Sequence, residues 1–305
     1  MTINQTTPYT NPFDPPAATE EPPAKTGERP EARAPQSKLR KALREDRPDV
    51  TDTLVPLGKV HLGDGHFRLI AGPCAVETRG QIMRAAEAVK SAGGHALRGG
   101  AYKPRTSPYD FQGLGEEGLR LLSEAGRAHG LPVVTEVLRP RDVPLCAQYA
   151  DVLQVGARNM QNYALLTEVG GCARPVLLKR GMGARIDELL AAAEYILAAG
   201  NPNVILCERG IRTFETATRY TLDLSAVLVL RERSHLPVIV DPSHAAGARR
   251  YVPALARAAK AVGAHGIIVE IHPDPAAALC DGPQALSLDM WQKLAAQLLD
   301  HEAAA

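Results

Sequence analysis

The chain has 305 residues, 45% of them hydrophobic, which is enough to bury the core of one large domain or two smaller ones. Its 35 basic and 34 acidic side chains leave a net charge of +1, so no general attraction to nucleic acid or to a membrane is expected. Five cysteines without close paired spacing argue against a secreted disulfide framework. No apolar segment reads as a cleavable leader or as a bilayer span. We therefore expect a soluble, cytoplasmic protein.

The first 53 residues differ in composition from the rest of the chain. They hold 9 of the 24 prolines and few large apolar side chains, so they cannot bury enough surface to offset the entropy of ordering. We predict a disordered, proline-rich tail over residues 1–53 and one folded domain over residues 54–305. Within the tail, Leu39 and Leu43 form the apolar stripe of a predicted helix at 37–46, which docks on the domain or on a partner.

A β-hairpin is predicted at the start of the domain. Val60 and Leu62 alternate with polar residues, glycines at 63 and 65 flank a turn, and Phe67 and Leu69 continue the alternation.

Strand-like and helix-like segments alternate through the remainder of the domain. Strands are predicted to begin near residues 68, 96, 132, 152, 175, 204, 237 and 266, and helices to span 81–92, 116–129, 141–149, 163–169, 186–199, 216–232, 249–262 and 288–299. Eight strand–helix units over roughly 240 residues match the usual size of a (β/α)8 TIM barrel. A doubly wound open sheet is the alternative, because periodicity does not show closure. The count of eight favours the barrel.

Four side chains of metal-binding type lie near predicted strand ends: Cys74, His244, Glu270 and Asp281. Taken singly, the cysteine is typical of a small buried hydrophobe and the aspartate of a turn residue before glycine. A histidine and a glutamate just past buried strands are costly unless they are paired, so the set favours a metal site at the barrel mouth. The other cysteines are interpreted as packing residues: Cys146, Cys172, Cys207 and Cys280.

Cationic residues follow most of the same strands. The second strand is followed by three cations and two hydroxyls on a loop stiffened by glycine and proline, which suits a phosphate: Arg98, Lys103, Pro104, Arg105, Thr106 and Ser107. Further cations stand at later strand ends: Arg158, Lys179, Arg180, Arg209 and Arg212. A solvated basic loop is the alternative, but like charges this close are tolerated best with anions between them. Glu136 and Glu208 are predicted to orient the cations or a water molecule.

A metal ion is the single cofactor predicted. The glycine pairs at 99–100 and 170–171 match neither a dinucleotide fingerprint nor a P-loop, so neither a nicotinamide nor an ATP site is expected. A cysteine, histidine, glutamate and aspartate set accepts one divalent ion, with manganese as our first choice and iron, cobalt or zinc as alternatives.

Six short motifs in order point to a known family. They are Ala-Gly-Pro-Cys at 71–74, Lys-Pro-Arg-Thr-Ser-Pro at 103–108, Gly-Ala-Arg-Asn at 156–159, Leu-Lys-Arg-Gly at 178–181, Asp-Pro-Ser-His at 241–244 and Val-Glu at 269–270. From about Lys59 to Leu299 the chain resembles the 3-deoxy-D-arabino-heptulosonate 7-phosphate (DAHP) synthases, in their short type I beta branch. That family opens the shikimate pathway to aromatic amino acids.

The resemblance implies a (β/α)8 barrel that condenses phosphoenolpyruvate with D-erythrose 4-phosphate and releases phosphate. It implies the same metal set, and it assigns phosphoenolpyruvate to four cations: Arg98, Arg158, Lys179 and Arg209. The loop from Lys103 through Pro104, Arg105 and Thr106 to Ser107 would bind the aldose phosphate. Among the catalytic residues, Cys74 and His244 act through the metal. Lys103 is the expected general acid and Glu136 a candidate to assist the water step. A homotetramer is also implied.

Two other functions stay open at this point. The sister synthase, which uses arabinose 5-phosphate to make 3-deoxy-D-manno-octulosonate 8-phosphate, typically carries Lys-Ala-Asn where this chain has Lys103, Pro104 and Arg105, so the four-carbon aldose is favoured. A noncatalytic barrel that binds phosphorylated metabolites would have lost a ligand, whereas all four candidates are present. The tail is too rich in proline to form the ferredoxin-like or chorismate mutase module found in some relatives. We therefore expect either an unregulated enzyme or one controlled by a partner bound to the tail.

Overall fold

The computed structural model describes residues 39–45, 51–105 and 107–299, and its secondary structure alternates between strands and helices. The strands are β1 Val55–Leu57, β2 Val60–Leu62, β3 Arg68–Gly72, β4 Ala96–Arg98, β5 Val133–Val137, β6 Val152–Val155, β7 Val176–Lys179, β8 Val204–Glu208, β9 Val238–Val240 and β10 Gly266–Glu270. The helices are α1 Arg79–Ser91, α2 Glu116–His129, α3 Val143–Tyr149, α4 Tyr163–Gly170, α5 Ile186–Ala198, α6 Leu224–Arg233, α7 Pro242–Ala246, α8 Val252–Ala261 and α9 Leu288–Leu299. Within these described ranges, no helix has the length and apolar character that a membrane span requires.

Strands β3 to β10 form a closed barrel. Each pairs in parallel with the next strand along the chain, and β10 pairs with β3 over five residues, from Gly266 opposite Arg68 to Glu270 opposite Gly72. The (β/α)8 prediction is therefore confirmed, and the open-sheet alternative is wrong. Because all eight strands run the same way, their carboxyl ends meet at one mouth, where the side chains that follow them can converge.

The hairpin lies at the opposite end of the barrel. Its strands β1 and β2 are antiparallel, and the turn between them uses Gly58 at φ 62°, a left-handed conformation that glycine adopts readily. Val55 and Leu62 pack against inward-facing residues such as Ile70 and Ile268. They fill the barrel interior from the side where the strands begin.

The hairpin was predicted correctly, but its register was wrong. The prediction turned at 63–65 and paired Val60 and Leu62 with Phe67 and Leu69, whereas residues 68–72 form the first barrel strand. The alternation at 67 and 69 was misleading because every residue of β3 is buried, as expected for a parallel strand covered on both faces.

Seven of the eight predicted helices agree with the structure within three residues, one differs, and one observed helix was not predicted. The helix predicted at 216–232 begins only at Leu224, because Asp223 caps it by accepting the amide of Ala226 and because Ile211 pairs with Thr221 in an isolated bridge. The short helix α7 was not predicted; its start is capped by Asp241, which accepts the amide of His244.

Residues 39–45, which we call the strap, lie against the barrel in a non-helical conformation. Leu43 forms an antiparallel bridge with Ser234 and is buried, so the predicted helix at 37–46 is wrong over its described residues, whereas the predicted docking on the domain is confirmed. The Glu194 carboxylate on α5 accepts the backbone amides of Arg40, Lys41 and Ala42 at 3.0 Å or less. Residues 1–38 and 46–50 of the predicted disordered tail lie outside the described residues, so that disorder and the boundary at 53/54 stay predictions.

The three amide contacts predict a local role for Glu194. Glu194→Gln removes the charge and leaves one accepting oxygen, so we expect a loss of about 1–3 kcal/mol in the local stability of the strap. Hydrogen exchange at the amides of residues 40–42 should accelerate. Glu87→Gln, at an exposed position of α1, is the matched control, and equal protection in both variants would contradict the anchoring role.

Candidate active site

A polar cavity opens at the mouth where the barrel strands end. Ten of the predicted site residues line it: Arg98, Lys103, Pro104, Arg105, Glu136, Arg158, Lys179, Arg209, His244 and Asp281. These residues come from the ends of seven successive strands, β4 to β10, and closure of the barrel brings them together at one mouth.

The four predicted metal ligands converge beside this cavity. His244 Nε2 lies 3.4 Å from Glu270 Oε1 and 3.8 Å from Asp281 Oδ2. Cys74 Sγ lies 3.1 Å from the same Asp281 oxygen. Asp281 thus belongs to two groups of donor atoms, one with Cys74 and Cys280 and one with His244 and Glu270, and each group is close enough to hold a metal ion.

Asp241 orients the histidine of this set. Its carboxylate accepts the His244 amide at 2.9 Å and faces His244 Nδ1 at 2.7 Å. Burial would raise the pKa of Asp241, but His244 and Lys179 hold that pKa well below its usual value. An ionised Asp241 accepts a hydrogen bond from the Nδ1–H group, so the Nε2 lone pair faces Glu270 and Asp281, as in carboxylate–histidine–metal arrangements.

Glu270, the last residue of β10, is held on both carboxylate oxygens. Arg98 Nη1 donates to Oε1 at 2.7 Å, and Gln284 Nε2 donates to Oε2 at 2.6 Å. Burial would raise the pKa of Glu270, but His244 and Arg98 lower it below its usual value. The carboxylate is therefore ionised and fixed in orientation, which suits an anionic metal ligand.

Asp281 reaches the cluster through an unusual backbone conformation. Its φ is +53°, the only positive φ at a non-glycine residue in the described parts of the chain, and aspartate tolerates this left-handed region. Arg219 Nη1 contacts its other oxygen at 3.3 Å. Burial would raise the pKa of Asp281, but His244 and Cys74 help to lower it to about 2. The donor types and the ionised carboxylates of Glu270 and Asp281 fit a divalent ion.

Arg209 is the clearest sign of a missing anion. It is 5% exposed, and its Nη1 is the one buried side-chain polar atom without a hydrogen-bond partner in the described residues. Its guanidinium lies 4.4 Å above the ring centroid of Tyr220, which fixes the plane of the group. Buried donors are nearly always satisfied, so this orphaned N–H indicates a ligand that accepts it.

Lys103 begins the loop at residues 103–107 and lies beside Cys74. Its Nζ donates to the Cys74 carbonyl oxygen at 3.1 Å. Burial would lower the pKa of Lys103, but Cys74 and Glu136 raise it above its usual value. The ammonium form therefore dominates at neutral pH, and Lys103 can donate a proton but is not a base.

Of the loop residues that follow Lys103, only some line the cavity. Arg105 Nη1 donates to Cys280 Sγ at 2.6 Å, and its Nη2 lies 3.2 Å from Asp110. Pro104 lines the cavity, whereas Ser107 does not, and the Ser107 hydroxyl instead accepts the amide of Tyr109 at 3.3 Å. Thr106 lies outside the described residues.

Two cations that were grouped with the anion site do not line it. Arg180 is buried in an ion-paired cluster, 2.9 Å from Glu208 and 2.9 Å from Asp223. This confirms that Glu208 orients a cation, but Arg180 is a structural group. Arg212 also lies outside the cavity lining.

Cys280, interpreted as a packing residue, is buried with Cys74 and Ala75, but it also lies at the cavity. Its sulfur lies 3.2 Å from Cys74 Sγ, beside the metal cluster. The signal was present in the sequence, since Cys280 directly precedes Asp281. Arg219, Tyr220 and Gln284 were also missed, because their loops reach the site only through the fold.

The contact between Glu136 and Gly156 yields a second prediction. A Cβ built on Gly156 would overlap Oε1 of Glu136, so any side chain there displaces this carboxylate. Gly156→Ala should lower activity by up to about 100-fold through misplacement, with the fold retained. Gly183→Ala, where a Cβ meets open space, is the control. Equal turnover of the two variants would show that the position of Glu136 does not matter.

Comparison with known families decides the assignment. The sequence model described as the DAHP synthetase I family matches residues 39–304. The chain belongs to this family. The match begins at the strap and runs through every element of the barrel, so the family resemblance inferred from the six motifs is confirmed.

Individual DAHP synthase relatives agree with this membership. Phospho-2-dehydro-3-deoxyheptonate aldolase from Thermotoga maritima is 55% identical over 255 residues, which cover 84% of this chain and 75% of the relative. The crystal structure of that Thermotoga DAHP synthase superposes with a TM-score of 0.84 at 53% identity, covering 88% of this chain and 78% of the other. A truncated form of the Thermotoga enzyme gives a TM-score of 0.80 at 50% identity, over 86% of this chain and 96% of the other.

Relatives named for the sister reaction are more distant. The 2-dehydro-3-deoxyphosphooctonate aldolase from Syntrophobacter fumaroxidans is 35% identical over 257 residues, covering 78% of this chain and 88% of the relative. The difference between 55% and 35% identity places the chain with the DAHP synthases.

Proposed function

We propose that the mouth of this barrel catalyses the metal-dependent condensation of phosphoenolpyruvate with D-erythrose 4-phosphate and water. The products are DAHP and inorganic phosphate, so the enzyme is a 3-deoxy-7-phosphoheptulonate synthase at the first step of the shikimate pathway. Family membership supports the reaction. The observation that carries it to these residues is the orphaned Arg209 Nη1, in the cavity that lies beside two groups of metal donors sharing Asp281.

The metal ligands in this proposal are Cys74, His244, Glu270 and Asp281. A bound divalent ion supplies Lewis-acid polarisation of the aldehyde carbonyl. Two carboxylates and an imidazole favour manganese, and the thiolate also suits iron, cobalt or zinc.

Phosphoenolpyruvate is held by four cations: Arg98, Arg158, Lys179 and Arg209. Two of them are already oriented by carboxylates, Arg98 by Glu270 and Lys179 by Asp241. Their remaining N–H groups and the free Nη1 of Arg209 offset the negative charges of the substrate's carboxylate and phosphate. Fixed charges in a partly desolvated site also stabilise the negative charge that develops on the departing phosphate.

The aldose phosphate lies along the loop from Lys103 through Pro104 and Arg105 to Ser107, and the family motif adds Thr106. The C3 carbon of phosphoenolpyruvate attacks the aldehyde carbon, and a new carbon–carbon bond forms as the aldehyde oxygen gains negative charge. Lys103 donates its proton to that oxygen, which its position and protonated state permit. Holding both substrates side by side supplies the proximity that a bimolecular reaction lacks.

The attack uses the electrons of the C2–C3 double bond and leaves C2 electron-deficient, so water adds there. The resulting hemiketal phosphate then loses its C2 hydroxyl proton and, by cleavage of the bond between C2 and the bridging oxygen, its phosphate, which leaves a ketone at C2. Glu136 faces the cavity from β5 and takes a proton from the attacking water. The close packing of its carboxylate against Gly156 fixes where that proton is accepted.

Three further proposals concern assembly, regulation and location. A homotetramer and a regulatory partner for the tail follow from the family and from the composition of residues 1–53. A cytoplasmic location is supported by the five cysteines, which are all free thiols in the structure.

Phosphate release tests the proposed function. The full chain, mixed with phosphoenolpyruvate and erythrose 4-phosphate, should release phosphate, stop when a chelator is added, and recover with manganese, iron, cobalt or zinc. His244→Gln should lose metal content and turnover together, whereas His129→Gln, at the end of α2, should keep both. Release that is indifferent to chelation, or no release with any metal, would overturn the proposal.

A further inference from the structure

Two consecutive side chains, Cys280 and Asp281, face the same cluster. Cys280 Sγ lies 3.2 Å from Cys74 Sγ and 3.8 Å from Asp281 Oδ2. The donor atoms of these three residues all lie within 4.8 Å of one another. We propose that Cys280 is an additional ligand of the metal ion, so that the centre contains two thiolates. This inference rests on the metal site in the proposed function.

The backbone explains how adjacent residues reach one centre. In an extended chain successive side chains point to opposite sides, but the left-handed conformation of Asp281 turns the chain between the two residues. The turn is braced on each side. Glu77 Oε1 accepts the Leu279 amide at 2.9 Å, and a Cβ on Gly282 would lie 2.5 Å from the Pro275 carbonyl oxygen.

The surroundings of Cys280 suit a thiolate. The residue is 5% exposed, and Arg105 Nη1 donates to its sulfur at 2.6 Å. A positive neighbour favours the ionised sulfur that metals bind. By contrast, Cys207 lies among the apolar residues that fill the barrel, including Ile205 and Ile239.

A second thiolate changes which ions the site prefers. Sulfur ligands select softer ions such as zinc, cobalt and cadmium, whereas carboxylates suit manganese. The four ligands of the family resemblance predict a mixed site, and Cys280 shifts it toward sulfur. The centre should therefore hold zinc and cadmium more tightly, relative to manganese, than a site with one thiol.

The alternative is that Cys280 only forms hydrogen bonds with Cys74 and Arg105 and does not bind the metal. In that case its loss would disturb the aldose loop without changing the metal centre. The two possibilities differ in the number of sulfur atoms bound to the metal. The test therefore measures the spectrum of the bound metal in the absence of substrates.

Cobalt absorption provides that test. The full chain is loaded with cobalt in the absence of oxygen and with a reductant, since two sulfur atoms this close can oxidise to a disulfide. Cys280→Ser should lose about half of the near-ultraviolet sulfur-to-cobalt absorption, because one of two thiolates is removed. It should also lower the affinity for cadmium relative to manganese by about tenfold. Cys172→Ser, at a partly exposed position outside the site, is the matched control and should match the unsubstituted chain.

X-ray absorption on the zinc-loaded, unsubstituted chain gives a second measurement that does not depend on a variant folding. Two sulfur neighbours are expected, and one sulfur would overturn the proposal. Full cobalt absorption in Cys280→Ser, with complete loss only in Cys74→Ser, would also overturn it. Failure of the synthase reaction would appear separately, as absent phosphate release from a chain that still binds cobalt.

Discussion

Lys103→Met lowers kcat by about 10²- to 10⁴-fold, the range expected when a general acid is lost, and leaves the metal content unchanged. Methionine keeps a stem of similar length and removes the ammonium group. The loss follows from the position of Nζ, 3.1 Å from the Cys74 carbonyl oxygen and next to the aldose loop. Without the ammonium group of Lys103, the aldehyde oxygen has to take its proton from water.

Steady-state kinetics and metal analysis on the same samples check this expectation. Lys103→Arg keeps a cation but has a much weaker acid, so it should recover substrate binding more than turnover. Lys90→Met, in the last turn of α1, removes an equivalent charge outside the site and should behave like the unsubstituted enzyme. Unchanged turnover in Lys103→Met would contradict the acid role. A parallel loss of metal would mean that Lys103 supports the metal cluster instead.

Arg209→Ala raises the KM for phosphoenolpyruvate and lowers kcat/KM by about 10²- to 10³-fold, as removal of one donor to a developing anion does elsewhere. The reason is that Arg209 is buried and its Nη1 has no partner among the described residues, so this donor is available to bind a ligand. The KM for erythrose 4-phosphate should change little, because Arg105 lies on the other side of Lys103 in the proposed arrangement.

Two variants make this expectation specific. Arg209→Lys keeps the charge but loses the planar fork and its stacking on Tyr220, so partial activity is expected. Arg120→Ala, on the exposed face of α2, should leave both KM values unchanged. Equal effects of Arg209→Ala on both substrates would contradict its assignment to phosphoenolpyruvate.

The sequence predicted the barrel because its signals are local and repeated. Eight strand–helix units are visible as alternating patterns, and the closed barrel was inferred from their number alone. The metal donors were also found locally: Cys74 and His244 follow buried strands and Glu270 ends one, and such residues are costly there without a partner. The structure brings these three together with Asp281, which has the weakest local signal.

Features that depend on tertiary contacts were not predictable in this way. The hairpin register was wrong because alternation at Phe67 and Leu69 resembles a half-exposed strand, and only barrel closure shows that β3 is covered on both faces. Cys280 looked like a packing residue because the left-handed turn at Asp281 is not visible in the sequence. Gln284 bonds to Glu270 across fourteen residues, and no local pattern indicates such a partner.

The identity of the aldose is the central claim that a single measurement tests most directly. The full chain is given phosphoenolpyruvate with equal amounts of erythrose 4-phosphate and arabinose 5-phosphate, and the product is identified by mass. We predict the seven-carbon DAHP as the main product, formed only when a divalent metal is present. A dominant eight-carbon product would contradict the proposed function, and so would a seven-carbon product that forms equally well in the presence of a chelator.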